Sequence, residues 1–115
     1  MILGGGVKAY VCAEPVDMRK SIDGLAQLVA PLLKGDPFSG SLFVFVSRRR
    51  EKVKLLWWDR HGFWLAYKRL ERGRFPHPAL LGLRAVSVSE LAMWLEGVDL
   101  MRTRRLAVVN ALRVA

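Results

Sequence analysis

Three short β-prone runs stand almost end to end in the middle of the chain: SLFVFV (41–46), KVKLLWW (52–58) and GFWLAYK (62–68). Their valines, phenylalanines and tryptophans favour extended backbone. The connectors SRRREK and DRHG are short enough for hairpin turns, and the second ends in Gly62, which tolerates positive φ. The runs therefore predict an antiparallel meander whose third strand runs parallel to its first. None of them alternates cleanly between polar and apolar residues. Either both faces of the sheet are partly covered, or one face offers aromatics to a partner.

The flanking segments supply candidate cover. VKAYVCA (7–13) reads as a further strand, stopped by Pro15. In VDMRKSIDGLAQLVAPLL (16–33), Met18, Ile22, Leu25, Val29 and Leu32 recur at steps of three and four, one apolar stripe of a helix. Asp17 is its expected N-cap, and Pro31 should end or kink it near Val29. That placement leaves an oddity. Arg19 and Lys20 fall in the first turn, where the helix dipole already concentrates partial positive charge. Two explanations stand: Arg19 pairs with Asp23 four residues on, or both cations face an anion outside the chain.

Further along, GDPFSG (35–40) is loop chemistry, and Pro76 and Pro78 rule out regular structure in RLERGRFPHPALLGL. VSVSELAMWLEGVDL gives a second helix. Ser87 and Glu90 have capping-box spacing, and Gly97 suits the left-handed residue past the last turn. The expected fold class is α+β, a small antiparallel β-meander sheet packed against two helices. Residues 1–100 are expected to form one domain, and 101–115 a basic C-terminal tail or a short helix.

Several function classes drop out. No apolar run reaches the roughly 18 residues a bilayer span needs, so no membrane partner is expected. MILGGGVKAYVCAEP lacks a basic segment leading into a long apolar core, and Cys12 is the single cysteine, which excludes an internal disulfide and a cysteine-based zinc site. A cytoplasmic protein is the expectation. His61 and His77 have no partner at ligand spacing, so neither a metal nor another cofactor is expected. Gly4-Gly5-Gly6 precedes a strand instead of linking strand to helix, which does not make a phosphate loop. No serine sits in a nucleophile elbow, and the carboxylates are dispersed where a two-metal site needs them convergent. Nothing in the sequence calls for an enzyme.

The charge is more telling. The chain carries 19 Lys and Arg against 10 Asp and Glu, a net charge of +9. Such an excess draws polyanions and makes their binding salt-dependent. Most of it lies in one band: Arg48, Arg49, Arg50, Lys52, Lys54, Arg60, Lys68, Arg69, Arg72 and Arg74, opposed by Glu51, Asp59 and Glu71. In a meander, Arg48 to Lys52 cap one end of the first hairpin. Lys68 to Arg74 leave the third strand at that same end, so two basic clusters meet on one rim. The plainer alternative is solubilising charge, but that is normally mixed in sign. Trp57, Trp58, Phe63 and Trp64 lie between the clusters. Aromatics among cations can stack on unpaired bases, although adjacent strands more often bury them. Trp57 and Trp58 alternate across the sheet, so at most one shares the buried face.

Three segments together, DMRKSIDGL, GSLFVFVSRRREKVKLLWWDRHGFWLAYKRLERGRF and SELAMWLEGVDL, resemble one family. The chain is similar, from about Val7 to Leu100, to the TnpB-type accessory proteins encoded by the second reading frame of bacterial insertion sequences of family sixty-six. The ordered set KLLWWD, GFWL and YKRLERGRF carries the resemblance, whereas AVVNALRVA at the C-terminus departs from the pattern. The resemblance implies a small basic protein that assists a DDE-type transposase and brings no established active site. Asp17, Met18, Arg19, Lys20, Asp23, Gly24 and Lys68 to Phe75 mark the likeness without assigning roles.

Two functional expectations follow. In the first, a non-catalytic accessory factor binds DNA at the element's ends, with Arg48, Arg49, Arg50, Lys52, Lys68, Arg69, Arg72 and Arg74 on phosphates and Arg19 and Lys20 extending the surface. In the second, the sheet edge and aromatic face dock on the transposase, or on a second copy of the chain, without DNA contact. RNA is a third, weaker candidate, since no single-strand recognition motif appears.

Overall fold

A computed structural model describes residues 6–81 and 85–97. Residues 98–115, with the expected tail or short helix at 101–115, lie outside the described residues, as do Gly4 and Gly5. The meander is present as β2 (Leu42–Val46), β3 (Lys52–Asp59) and β4 (Gly62–Arg69), all antiparallel neighbours. β1 (Lys8–Val11) joins β2 in parallel, and the two-residue β5 (Val86–Ser87) pairs antiparallel with β1. The sheet order is β4-β3-β2-β1-β5. The class is the α+β one that the sequence implies. The parallel seam is an addition: it needs a crossover, and α1 (Ile22–Leu33) provides it between β1 and β2.

The helices cover opposite faces. Leu25 and Val29 of α1 pack with Phe43, Phe45 and Leu56. Leu91 and Trp94 of α2 (Val88–Leu95) pack with Val44, Val46, Val53, Trp57 and Phe75 on the other side. β2 is buried at all five positions for this reason, and the missing alternation in the sequence is explained by cover on both faces. Trp57 and Trp58 alternate across the sheet as expected, and of the two only Trp57 is buried. Trp57 is in the α2-side core, while Trp58 packs edge-on to Phe38 and Phe63 on the α1 side. Each face has its own aromatic.

Two further details differ from expectation. Helix α1 starts at Ile22 with Ser21 as N-cap, so Asp17 is not the cap and Arg19 and Lys20 are not in its first turn. The Asp17 carboxylate accepts the Arg19 backbone N–H at 2.9 Å, and Lys20 N–H donates to the Asp17 carbonyl at 3.1 Å. This local turn holds residues 17–20 out of the helix. Pro31, in turn, lies inside the helix, which continues to Leu33. Pro31 and Gln27 are both exposed, so the carbonyl deprived of a donor is on the solvent side. The region after β4 is irregular up to a 3₁₀ turn at Pro78–Leu81, a short regular piece the two prolines allow. Helix α2 carries the expected capping box. Glu90 N–H donates to Ser87 Oγ at 3.0 Å, Ser87 N–H donates to Glu90 Oε1 at 3.1 Å, and Gly97 has φ +82°.

Candidate nucleic-acid interface

The β2–β3 turn is a tight one. Arg50 N–H donates to the Ser47 carbonyl at 2.9 Å, Ser47 N–H to the Lys52 carbonyl at 3.0 Å, and Lys52 N–H to Ser47 Oγ at 3.1 Å. Arg50 closes the turn in the left-handed region, φ +59°, where a residue other than glycine costs roughly 1–2 kcal/mol. The β3–β4 turn behaves alike: Arg60 takes the positive φ (+53°), and Gly62 does not. At Arg50 the side chain offers compensation, since its Nη1 donates to the Phe75 carbonyl at 3.3 Å.

That bond is one of three that bring the two basic clusters together. Leu70 N–H donates to the Glu51 carbonyl and Phe75 N–H to the Arg50 carbonyl, each at 2.7 Å. Strand register completes the join, with Lys52 opposite Arg69 and Val53 opposite Lys68. Arg48 to Lys52 and Lys68 to Arg74 therefore share one end of the sheet. A hollow of about 190 Å³ is lined by Arg48 and Arg50 from the turn and by Arg74 and His77 from the later segment. On the α1 side a wider groove, about 550 Å³, lies between the 16–20 turn and the β2–β3 turn, with Arg19, Arg48, Arg49, Lys52 and Tyr67 on its walls.

The 16–20 turn is held there by the backbone. Cys12 N–H donates to the Val44 carbonyl at 2.9 Å and Val16 N–H to the Val46 carbonyl at 3.0 Å, so the chain after β1 runs along β2. Buried Lys54, on β3, then donates from Nζ to the Lys20 carbonyl at 2.8 Å. Burial also pushes the Cys12 thiol up from its ordinary range.

The cations are not equivalent. Arg48, Arg49, Arg72 and Arg74 are exposed, and Lys52 is half-buried, with no salt bridge to any of them among the described residues. Arg69 pairs with Glu71 at 2.9 Å. Lys68 points to the α2 side and donates to the Leu95 carbonyl at 3.2 Å. Arg19 is engaged by Asp17 at 2.7 Å, which replaces the expected pairing with Asp23. Arg19's hydrogen bonds hold the Asp17 carboxyl down at about 2. Lys20 is exposed. Arg60 lies at the far end of β3. His61 and His77 lie apart, and among the described residues no three His, Cys, Asp or Glu side chains converge on one point.

Tyr67 is the residue that sequence reasoning passed over. It is 54% exposed, and Lys54 Nζ sits 5.0 Å from its ring centroid. Its signal was available only through register, since Lys54 and Tyr67 are direct cross-strand partners. Of the aromatics that were singled out, Trp64 is 48% exposed but stacks on Trp57 at 6.1 Å.

The arrangement defines a class: a small three-layer α+β domain with arginines gathered at one end of its sheet, including Arg48, Arg49, Arg72 and Arg74, which make no salt bridge among the described residues. The chain belongs to the family described as IS66 Orf2 like protein, whose profile matches residues 7–105. It is 34% identical over 111 residues to uncharacterized protein y4jC of Sinorhizobium fredii, covering 96% of this chain and 95% of that one. It is 38% identical over 97 residues to uncharacterized protein y4hO of the same organism, covering 84% of each. No solved structure gives a significant match. Among the described residues no helix is long and apolar enough to cross a membrane.

Proposed function

We propose that this protein is a non-catalytic accessory factor for transposition of its insertion sequence, binding DNA at the element's ends alongside the element's DDE-type transposase. Membership of the IS66 Orf2 like family supports the accessory role. The observation that carries DNA binding is the joining of two sequence-distant arginine clusters on one rim, with Arg48, Arg49, Arg72 and Arg74 free of salt bridges among the described residues. Free guanidinium groups at that density suit phosphate oxygens. Lys52, Arg50 and Lys20 complete the surface. Arg69 and Arg19 contribute less while their carboxylates hold them, and Lys68 borders the rim from the α2 face.

The test is a double charge reversal, Arg48→Glu with Arg49→Glu, measured by duplex binding across a salt series. Both side chains are exposed, so the variant keeps its fold. The wild type loses affinity steeply with salt, and the variant's slope falls by about 0.9 per phosphate contact removed. A folded variant that binds DNA as the wild type does overturns the reading. A second reading has its own observation: the outer edge of eight-residue β4 pairs with no strand among the described residues, and Trp64 stands beside it. Such an edge can accept a partner strand. A protein that ignores DNA yet co-elutes with the transposase supports that docking role instead.

A further inference from the structure

The 550 Å³ groove combines two features that rarely need each other in a plain structural surface: unpaired cations and an exposed ring. Arg48, Arg49 and Lys52 line it without a salt bridge among the described residues, and Tyr67 stands in the same wall, more than half exposed. The other exposed aromatics are committed elsewhere. Trp64 lies on the opposite face with its ring on Trp57 and its Nε1–H on Asp59, 3.1 Å away. Phe38 is packed against Trp58 and Phe63. Tyr67 is also held in place, because buried Lys54 lies over its ring and is itself fixed to the Lys20 carbonyl. A ring positioned this way is a stacking platform, and the groove falls within the roughly 300–1,000 Å³ typical of small-ligand sites.

We propose that this groove seats an unpaired nucleotide of single-stranded DNA, its base on Tyr67 and its flanking phosphates on Arg48, Arg49 and Lys52. The inference rests on the DNA-binding reading above. Bases within a duplex are stacked on one another and present no free face, so the ring distinguishes single strand from duplex where arginines do not. Asp17 and Glu51 also line the groove. Asp17 is occupied by Arg19, which leaves Glu51 to repel a phosphate from the turn's edge and direct the backbone toward Arg48 and Arg49.

The experiment measures fluorescence anisotropy of the full chain with labelled oligothymidylate, oligouridylate and a mixed-sequence duplex at fixed ionic strength. Oligothymidylate binds more tightly than the duplex or oligouridylate. Tyr67→Ala weakens oligothymidylate binding about tenfold and changes duplex binding by less than about twofold, while Tyr67→Phe retains wild-type affinity. Tyr67→Leu, which keeps apolar bulk over Lys54, repeats the loss if Tyr67→Ala folds poorly. Unchanged oligothymidylate binding in folded Tyr67→Ala or Tyr67→Leu, an equal loss on duplex, or tighter binding of oligouridylate overturns the groove proposal and leaves duplex binding standing. Failure of the wild type to bind any probe at low salt overturns the DNA reading itself.

Discussion

Lys54 and Arg19 are two cations of the basic surface that the fold uses internally. Lys54 is 8% exposed and ties β3 to the turn at Lys20 and to the Tyr67 ring. Arg19 straddles both carboxylate oxygens of Asp17 through Nε and Nη2. That pair makes a pH prediction. Asp17's carboxyl is lowered to about 2 in the folded protein, so its contribution is present above the ordinary carboxylate value and lost as pH falls through about 2. A carbon-detected titration of Asp17 should show a midpoint near 2, and Arg19→Ala should return it to the ordinary carboxylate range. An Asp17 titrating normally in the wild type would mean the pair does not form. The sequence misplaced both residues for one reason. Met18 and Ile22 continue the helical stripe arithmetically, but the Asp17 carboxylate captures the Arg19 N–H and delays the helix to Ile22.

Among the elements, the segment after β4 depends most on distant support. It is anchored at Phe75, whose ring stacks on Trp94 of α2 at 5.0 Å, and Trp94 Nε1–H donates to the Pro76 carbonyl at 3.0 Å. Trp94→Ala should cost about 3–5 kcal/mol, as removal of a fully buried aromatic does. Trp94→Phe should cost less, its residual loss combining the Pro76 hydrogen bond with the space left by the smaller ring. Chemical denaturation of both variants checks this, and a Trp94→Ala protein as stable as wild type would remove α2 as the anchor. Much of this element layout was legible. The meander has local signals (short connectors and β-prone runs), and the α2 capping box spans only the four residues from Ser87 to Glu90. β1's parallel pairing with β2 was not legible, because nothing near Lys8–Val11 encodes a partner so far along the chain. Tyr67 escaped notice because its contact with Lys54 follows from the β3–β4 register.

At the scale of the whole molecule, charge is polarised along the strands. β3 spans about 25 Å at the usual rise per residue, with the arginine turn at one end and Arg60 at the other. Arg60→Glu should therefore leave duplex affinity and its salt slope close to wild type, whereas Arg49→Glu lowers the slope by about 0.9. Equal effects from the two single variants would mean a diffuse field and no localised rim. Two clusters separated by about twenty residues of sequence could be foretold to share an end, since an antiparallel meander returns its third strand to where the first finished. The groove needed the 16–20 turn as its second wall, and that turn's position depends on long-range backbone bonds from Cys12 and Val16 to β2.

The parallel seam has a kinetic corollary. Ala9 must find Leu42, whereas Val46 finds Val53 and Asp59 finds Gly62 within a few residues. Closing a long loop is entropically slower than zipping a hairpin. On that ground the hairpins that assemble the arginine rim are expected to form before the wall bearing Arg19, which waits for the N-terminal strand to dock.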